Sequence, residues 1–456
     1  MTVEHFDLIV LGAGSAARDA AAKAKREYGA RVAIVERERW GGSCPNVACR
    51  PTKAYLTAAE LVHDINTQAE TRGIRVSRAE IDMERLRAWK NSIRRDQESW
   101  RQLLAEQYAI LPGEATFVDE RTVRVGERLL SADHVLIATG GRTAVPPIPG
   151  IEHIDWIDHI SALELERVPE SLLVIGAGPV GLEFAQIFAR FGSRVTIVGH
   201  GAQIAARNDA EAAHELQAAL EEEGVEVLLT DAGIERFTRT DSGIEAVIAG
   251  AKVVTVTDVL LASGRTPNID ALGLDRIGVE ASPRGIVVDE HQRTTVDGIW
   301  AAGDVAVGPM FTPTAQYQAR IAVDDMLDSE RPADYSALPT AIFTDPELGA
   351  VGLTESEARS KGHDVNVVKH PLSAVTRAQF FTSRHGLYKI VFDRVTRKVL
   401  GVHVVCRGAS DIVGTLALAL KLGLTVDDMA GVHHVYPSYG EGLKAAAEQA
   451  RTPVRV

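Results

Sequence analysis

The chain has 456 residues, 45% hydrophobic and 24% charged, an ordinary globular composition that excludes a disordered or fibrous protein; the length allows about three domains. A formal net charge of -13 argues against nucleic acid as a partner, and no apolar run is long enough to make a membrane one. Met1 to Phe6 lacks the basic and apolar regions of a leader, and three cysteines fall far short of a secreted disulfide scaffold, so a reducing cytoplasm is the expected compartment.

The first strand, Phe6 to Leu11, runs into Gly12-Ala13-Gly14-Ser15-Ala16-Ala17, with an Ala- and Arg-rich helix behind it. This is a dinucleotide fingerprint in its strand, turn and helix context. Gly12 allows the tight turn, Gly14 lets the backbone approach a pyrophosphate, and small Ala17 permits close helix–strand packing. A second strand, Arg31 to Val35, ends in Glu36, at the distance where an acid meets ribose hydroxyls. The bland alternative is a glycine turn before a packing helix.

Trp40-Gly41-Gly42-Ser43-Cys44-Pro45-Asn46-Val47-Ala48-Cys49-Arg50-Pro51-Thr52-Lys53 holds two of the three cysteines. Such a pair can close a small ring if the backbone bends, and Pro45 and Asn46 favour a bend. A strained, reachable disulfide is the labile, redox-active kind. Tyr55, Ala58, Ala59 and Val62 follow at helical spacing, so Cys49 falls near a helix N-terminus, where the dipole favours thiolate. Lys53 lies one turn further on. Two buried free cysteines, or half of a zinc site, are the alternatives; Cys406 is remote and brings no further ligand. These residues alone leave the choice between redox function and inert packing open.

Met83 to Glu106 shows a polar helical pattern around an apolar stripe of Leu86, Trp89, Ile93 and Trp100, which predicts a solvated helix. Asp133 to Ile137 is a short apolar strand entering Ala138-Thr139-Gly140-Gly141, and the proline-rich Val145 to Gly150 marks a domain crossing. A second fingerprint follows: Leu172 to Ile175, then Gly176-Ala177-Gly178-Pro179-Val180-Gly181-Leu182-Glu183. Two fingerprints imply two dinucleotides, and electron transfer between them. The next strand, Arg194 to Val198, ends in Gly199-His200, with Arg207 beyond. No acid stands there to repel a 2′-phosphate, so NADPH is the expected donor and NADH the alternative.

On these motifs the chain resembles, over essentially its whole length, the pyridine nucleotide-disulfide oxidoreductases, the flavoprotein disulfide reductases that include dihydrolipoamide dehydrogenase, glutathione reductase and mercuric reductase. The family's cysteine segment is close to GGTCxNxGCxPSK, and this chain reads GGSCPNVACRPTK. Further marks are the segment ending at Gly140, Leu261 to Asn268, Thr295 to Asp304, Phe343 to Glu347 and Val351 to Glu355. The resemblance implies an α/β fold of two Rossmann-like dinucleotide-binding domains, for FAD and NAD(P)H, plus an α+β C-terminal dimerisation domain. Residues 1–148 would be the first part of the FAD domain, 149–268 the NAD(P)H domain, 269–335 the central part of the FAD domain, and 336–456 the interface.

The same resemblance implies cofactor contacts at Gly12, Gly14, Ala17, Glu36, Gly42, Ser43, Thr139, Gly140 and Asp304, the last on the flavin ribityl chain. It implies others at and after the second fingerprint: Gly176, Gly178, Gly181, His200, Gly264 and Arg265. Lys53 and Glu183 would pair beside the flavin N5. The implied mechanism is a relay from NADPH through FAD to a Cys44–Cys49 disulfide, and from the dithiol to a small-molecule electron acceptor. Cys49 would sit next to the flavin and Cys44 would face outward.

One departure bears on the acceptor. The family usually ends with a His-x-His-Pro-x-x-x-Glu type segment whose second histidine is the acid/base for the thiols. Here the segment is His433-His434-Val435-Tyr436-Pro437-Ser438-Tyr439-Gly440-Glu441, with Tyr436 in the base position and Glu441 in the partner position. Tyrosine donates a proton or hydrogen bond but is a poor base near neutrality; His434 is the alternative acid/base. This weighs against dihydrolipoamide and glutathione chemistry and resembles a mercuric-reductase-like branch, although the final Arg451 to Val456 lacks that enzyme's cysteine pair.

Three functions are then open: a reductase of a small disulfide or an oxidised sulfur or electrophilic species, a metal-ion or quinone reductase, and a non-enzymatic redox-sensing subunit. Intact Cys44 and Cys49 argue against the last. The expected assembly is a homodimer with shared active sites, and no resident metal is expected.

Overall fold

A computed structural model describes residues 3–250, 252–327, 329, 331–381 and 384–451; the tail from Thr452, on which the cysteine-pair comparison rests, lies outside them. The chain folds as two compact units. One comprises Met1–Thr52, Ala88–Ala144 and Gly264–Asp334, and the other Lys53–Arg87, Val145–Ser263 and Tyr335–Val456.

In the first unit the strand Val3–Leu11 lies between Val32–Glu36 and Arg128–Ile137, all parallel. Ala109–Pro112 extends the sheet beyond Val32–Glu36, and Ile299–Ala301 pairs with the end of Arg128–Ile137. Parallel strands covered on both faces must be apolar throughout, and Val32–Glu36 is buried at every position but the last. The chain winds to one side of Val3–Leu11 and then to the other, which makes the crevice beyond Leu11 and Ile137 the switch point where such sheets bind ligands. The helix Ser15–Tyr28 buries an alanine face, and this packs on Ala315, Ala319 and Ala322 of the helix Thr312–Met326.

The second unit has its own parallel sheet, in the order Glu226–Leu229, Arg194–Gly199, Ser171–Ile175, Asp258–Leu261 and Trp156–Ile157. A three-stranded antiparallel ribbon accompanies it, whose middle strand Gly243–Ile248 alternates half-buried and buried positions, as one covered face requires. The C-terminal part is an antiparallel sheet of Thr340–Ile342, Glu347–Gly352, Val399–Cys406, Leu387–Asp393 and Val365–Pro371. Cys406 is fully buried in its core among Val402, Val404 and Leu416, and burial pushes its thiol up to about 12. It is a core residue, as its apolar setting predicts.

The expected helix across Met83 to Glu106 is instead two, Met83–Ser92 and Gln97–Ala105. Asp96 caps the second by accepting the Ser99 N–H at 2.8 Å, and a cap demands a non-helical residue in the middle of the stretch. The stripe breaks with it: Leu86 and Trp100 are buried, but Trp89 is exposed.

Candidate active site

The cysteine segment is built against the first fingerprint. Gly42 has φ +76°, and a Cβ there would lie 2.4 Å from the Gly14 Cα, an approach that no side chain allows. Ser43–Asn46 forms one helical turn, with Ser43 exposed and Asn46 buried. The Asn46 amide donates to the carbonyls of Trp40 (3.0 Å) and Gly42 (2.7 Å). Its backbone carbonyl accepts from Arg94 at 3.0 Å and its Oδ1 from Gln97 at 3.1 Å. The bend expected at Pro45 and Asn46 is therefore held by side-chain bonds.

The next helix, Cys49–Gln68, opens at Cys49 itself, putting that thiol on the helix N-terminus. Cys44 is half-buried and Cys49 exposed, and both are free cysteines. Cys49 Sγ lies 3.5 Å from Thr312 Oγ1. Hydrogen bonding to Cys49, with burial second, pushes the Cys44 thiol up.

Still in the first unit, the Glu36 carboxylate accepts three backbone N–H groups, from Ala13 at 2.9 Å, Glu38 at 2.7 Å and Arg39 at 3.0 Å. A cleft of about 260 Å³ opens beside it, lined by Gly12, Glu36, Thr139, Arg142 and Asn268 among others. Ala17 is fully buried. Thr139 Oγ1 donates to the Asn268 carbonyl at 2.7 Å, and the Gly140 carbonyl accepts the Asn268 N–H at 2.9 Å. Two segments more than a hundred residues apart are thereby zipped together. Asp304 is ion-paired with Arg265 at 2.8 Å, Arg265 also donates to the Gly141 carbonyl, and the Gly264 carbonyl accepts from Ala144. A cleft at the switch point, an acid fixed at its edge and a fingerprint helix beginning beside it fit a dinucleotide.

In the second unit Lys53 and Glu183 meet. Lys53 Nζ lies 2.9 and 2.8 Å from the two carboxylate oxygens, and Glu183 is buried. Phe343 supports both partners, its N–H donating to Glu183 at 3.1 Å and its ring lying 4.2 Å from the Lys53 ammonium. The second fingerprint is as tight as the first: a Cβ on Gly181 would lie 1.9 Å from the Gly176 carbonyl oxygen, and Gly178 caps the helix Pro179–Phe191. At Gly199 a Cβ would lie 2.7 Å from the Ala177 side chain and 2.8 Å from Leu229. The missing acid thus has a packing reason besides any nucleotide preference. His200 and Arg207 are exposed.

The C-terminal segment lies in the second unit as well. Tyr436 is 70% exposed and Val435 80%. Glu441 accepts the Ser438 N–H at 2.9 Å, two residues beyond Tyr436. His434 is half-buried, and burial, with Lys444 next, holds its pKa below the ordinary histidine value. Among the described residues neither the Tyr436 hydroxyl nor the His434 ring has a hydrogen-bond partner, so Glu441 orients the loop rather than either candidate donor.

Two family models match the chain: the pyridine nucleotide-disulphide oxidoreductase model over residues 6–319 and the dimerisation domain of the same family over residues 338–447. The chain belongs to this family. A mercuric reductase of Lysinibacillus sphaericus is 36% identical over 452 residues, 97% of this chain and 82% of that one. A dihydrolipoyl dehydrogenase of Geobacillus stearothermophilus is 33% identical over 462 residues, 99% of this chain and 97% of the relative. The Cu(II) complex of the HOCl-induced flavoprotein disulfide reductase RclA from Escherichia coli superposes with a TM-score of 0.87 at 28% identity, covering 99% and 100% of the two chains.

The protein is accordingly an NAD(P)H-dependent flavoprotein disulfide oxidoreductase of a family that binds FAD and NAD(P)H. Its C-terminal part is the family's dimerisation domain. Among the described residues no helix is long and apolar enough to cross a membrane.

Two contributors escaped the sequence. Thr312 is 263 positions from Cys49 and lies in no motif. Phe343 stands in a segment quoted only as an interface mark.

Proposed function

We propose that the chain is an NADPH-preferring, cytoplasmic flavoenzyme whose Cys44–Cys49 couple delivers electrons to a small disulfide or an oxidised sulfur or electrophilic acceptor. The observation that carries this is the thiol pair itself, a bent segment locked by Asn46 with Cys49 at a helix N-terminus and against Thr312. FAD, when bound, supplies the hydride chemistry that links NADPH to the disulfide. The chain's own residues bind, orient and manage protons. Gly12, Gly14, Glu36 and Asp304 hold the flavin nucleotide, within residues 1–148 and 269–335. Gly176, Gly178, Gly181 and His200 hold NADPH, within residues 149–268. Lys53, fixed by Glu183, keeps a positive charge one helical turn beyond Cys49. Cys44 is the outward thiol that attacks the acceptor, and Tyr436 donates the proton that its leaving group takes up.

Residues 336–456 form the interface of a homodimer, in which Tyr436 and Glu441 serve the partner's thiols. Leu418 and Leu422, one turn apart, and Val432, Val435 and Tyr436 are all at least half exposed, an apolar set that suits burial against a second copy. A second reading, reduction of a metal ion or a quinone, is favoured by Tyr436 in the base position and by likeness to mercuric reductases and to a reductase solved as a Cu(II) complex. An acceptor screen under NADPH separates the two. Disulfides and oxidised sulfur compounds, Hg(II), Cu(II) and quinones are each compared for wild type and Cys44→Ser. The first reading requires turnover of a sulfur acceptor that Cys44→Ser abolishes. Turnover of metal ions or quinones alone favours the second.

A further inference from the structure

Glu183 and Lys53 each stand on a helix face that carries further polar side chains, all in the second unit. On the helix Pro179–Phe191 the face of Glu183 continues at i+3 and i+7 with Gln186 and Arg190. On the helix Cys49–Gln68 the face of Lys53 continues at i+7 and i+11 with Glu60 and Asp64. The segment Phe343-Thr344-Asp345 runs along the first of these faces. The Phe343 N–H donates to Glu183 at 3.1 Å, the Asp345 N–H donates to Gln186 Oε1 at 2.7 Å, and the Asp345 carbonyl accepts from Gln186 Nε2 at 2.7 Å.

Asp345 anchors that segment. Its carboxylate accepts from Arg190 at 3.1 Å and from Arg407 at 2.8 Å, and among the described residues it is the acid that both guanidiniums share. The Arg190 side chain, 3% exposed, also pairs with Glu223 at 2.6 Å, and Arg407 also pairs with Asp64 at 3.2 Å and Glu60 at 3.4 Å. Against burial, Arg407 and Arg190 hold the Asp345 carboxyl below the usual carboxylate range, which keeps it ionised near neutrality. A carboxylate bonded to two such cations has one well-defined position. The chain between Asp345 and Phe343 is equally fixed, with Thr344 buried and its Oγ1 donating to the Pro346 carbonyl at 2.8 Å.

We propose that Asp345 is a positioning residue for the Lys53–Glu183 pair: clamped by Arg190 and Arg407, it fixes the backbone that sets Phe343 against both partners, and with it the place of the Lys53 ammonium. The inference rests on the reading of Lys53 as the cation beside the flavin. An ammonium on a flexible four-carbon stem keeps no position of its own, and rigid supporting contacts supply one. Here those contacts are the Phe343 N–H on Glu183 and the Phe343 ring, 4.2 Å from the ammonium.

The test uses FAD-loaded enzyme carrying Cys44→Ser and Cys49→Ser, so that the flavin is the one redox group. It reads the flavin midpoint potential and the rate of flavin bleaching by NADPH. Lys53→Met should lower the potential, because it removes a cation and leaves Glu183 ionised. Asp345→Asn should lower it too, although this change removes an anion, and should slow bleaching about tenfold, a usual cost of a small misplacement caused at a distance. In a Lys53→Met background Asp345→Asn should do neither, because a residue that acts through Lys53 then has nothing to act on. Where Asp345→Asn does not fold, Gln186→Met loosens the same segment without changing the charge and is read the same way. A potential that does not fall, or a slowing that persists in full in the Lys53→Met background, overturns the inference. Lys53→Met with the potential of its parent would overturn instead the reading of Lys53 as the flavin's neighbour, and this inference with it.

Discussion

Replacing Lys53 by methionine strands a buried carboxylate, and the structure sets the size of the effect. The Glu183 side chain is 7% exposed and accepts two bonds from Lys53 Nζ and one from the Phe343 N–H. In Lys53→Met only the Phe343 bond is left. Removing one partner of a fully buried pair costs about 3–5 kcal/mol. Lys53, however, is 35% exposed; water already screens one side of the pair, and the expected loss falls to about 2–3 kcal/mol. Glu183→Gln keeps the shape without the charge and should cost about 1 kcal/mol. Because the penalty belongs to the stranded charge, Lys53→Met/Glu183→Gln should be more stable than Lys53→Met alone, with a coupling of about 1–2 kcal/mol. Urea unfolding of the four FAD-loaded proteins measures this. In the same proteins NADPH should bleach the flavin of Lys53→Met more slowly, by a factor on the order of 10². A double variant no more stable than Lys53→Met, or bleaching at the wild-type rate, would refute the reasoning.

Anaerobic NADPH should expose two more titratable thiols in the oxidised enzyme; identical counts before and after reduction would end the relay. NADPH should show the better specificity constant, and Arg207→Glu should lower it selectively, whereas Gly199→Glu should impair both nucleotides because its side chain collides with Ala177 and Leu229. A clear NADH preference in the wild type counts against this. Mixed dimers pairing a Cys44→Ser chain with a Tyr436→Phe chain put both lesions in one site and should keep about half the wild-type activity, while a catalytic monomer in sedimentation at assay concentration would refute shared sites. Lys389 is 3% exposed between Asp209 (2.9 Å), Glu211 (2.7 Å) and Glu355 (3.0 Å); against burial, Lys369 and Lys389 hold Glu211 below the usual carboxylate range. A carboxyl depressed in the fold stabilises it above its ordinary value and loses that contribution as pH falls through the folded one. Lys389→Met should therefore cost about 3–5 kcal/mol near neutrality, with the gap to wild type narrowing as acid protonates the crowded carboxylates; a gap independent of pH in thermal scans would contradict this.

The most legible parts of this protein are those whose chemistry is local in the chain. A fingerprint is a strand, a turn and a helix within about thirty residues, so both such units could be read from Gly12 to Glu36 and from Gly176 to Gly199. The cysteine segment is likewise contiguous, and its bend, its helix start at Cys49 and Lys53 one turn on all follow from neighbouring residues. Helical periodicity misled at Met83 to Glu106, where Asp96 as a cap outweighs the stripe that Leu86, Trp89, Ile93 and Trp100 suggest.

Charge compensation was another matter, because a buried ion is paired by whichever element the fold brings to it, without regard to separation in sequence. Lys53 and Glu183 were coupled beforehand only through family resemblance, and nothing in the chain announced that Phe343 would hold them. Gly199 reads in sequence as a missing acid and in space as a glycine wedged between Ala177 and Leu229. By itself the sequence determined the family, through a cysteine segment and two fingerprints each written by contiguous residues. Only the tertiary structure decided which side chain from elsewhere in the chain meets the thiols: Thr312 reaches Cys49 from a helix more than two hundred residues away, and packing leaves no spacing to read.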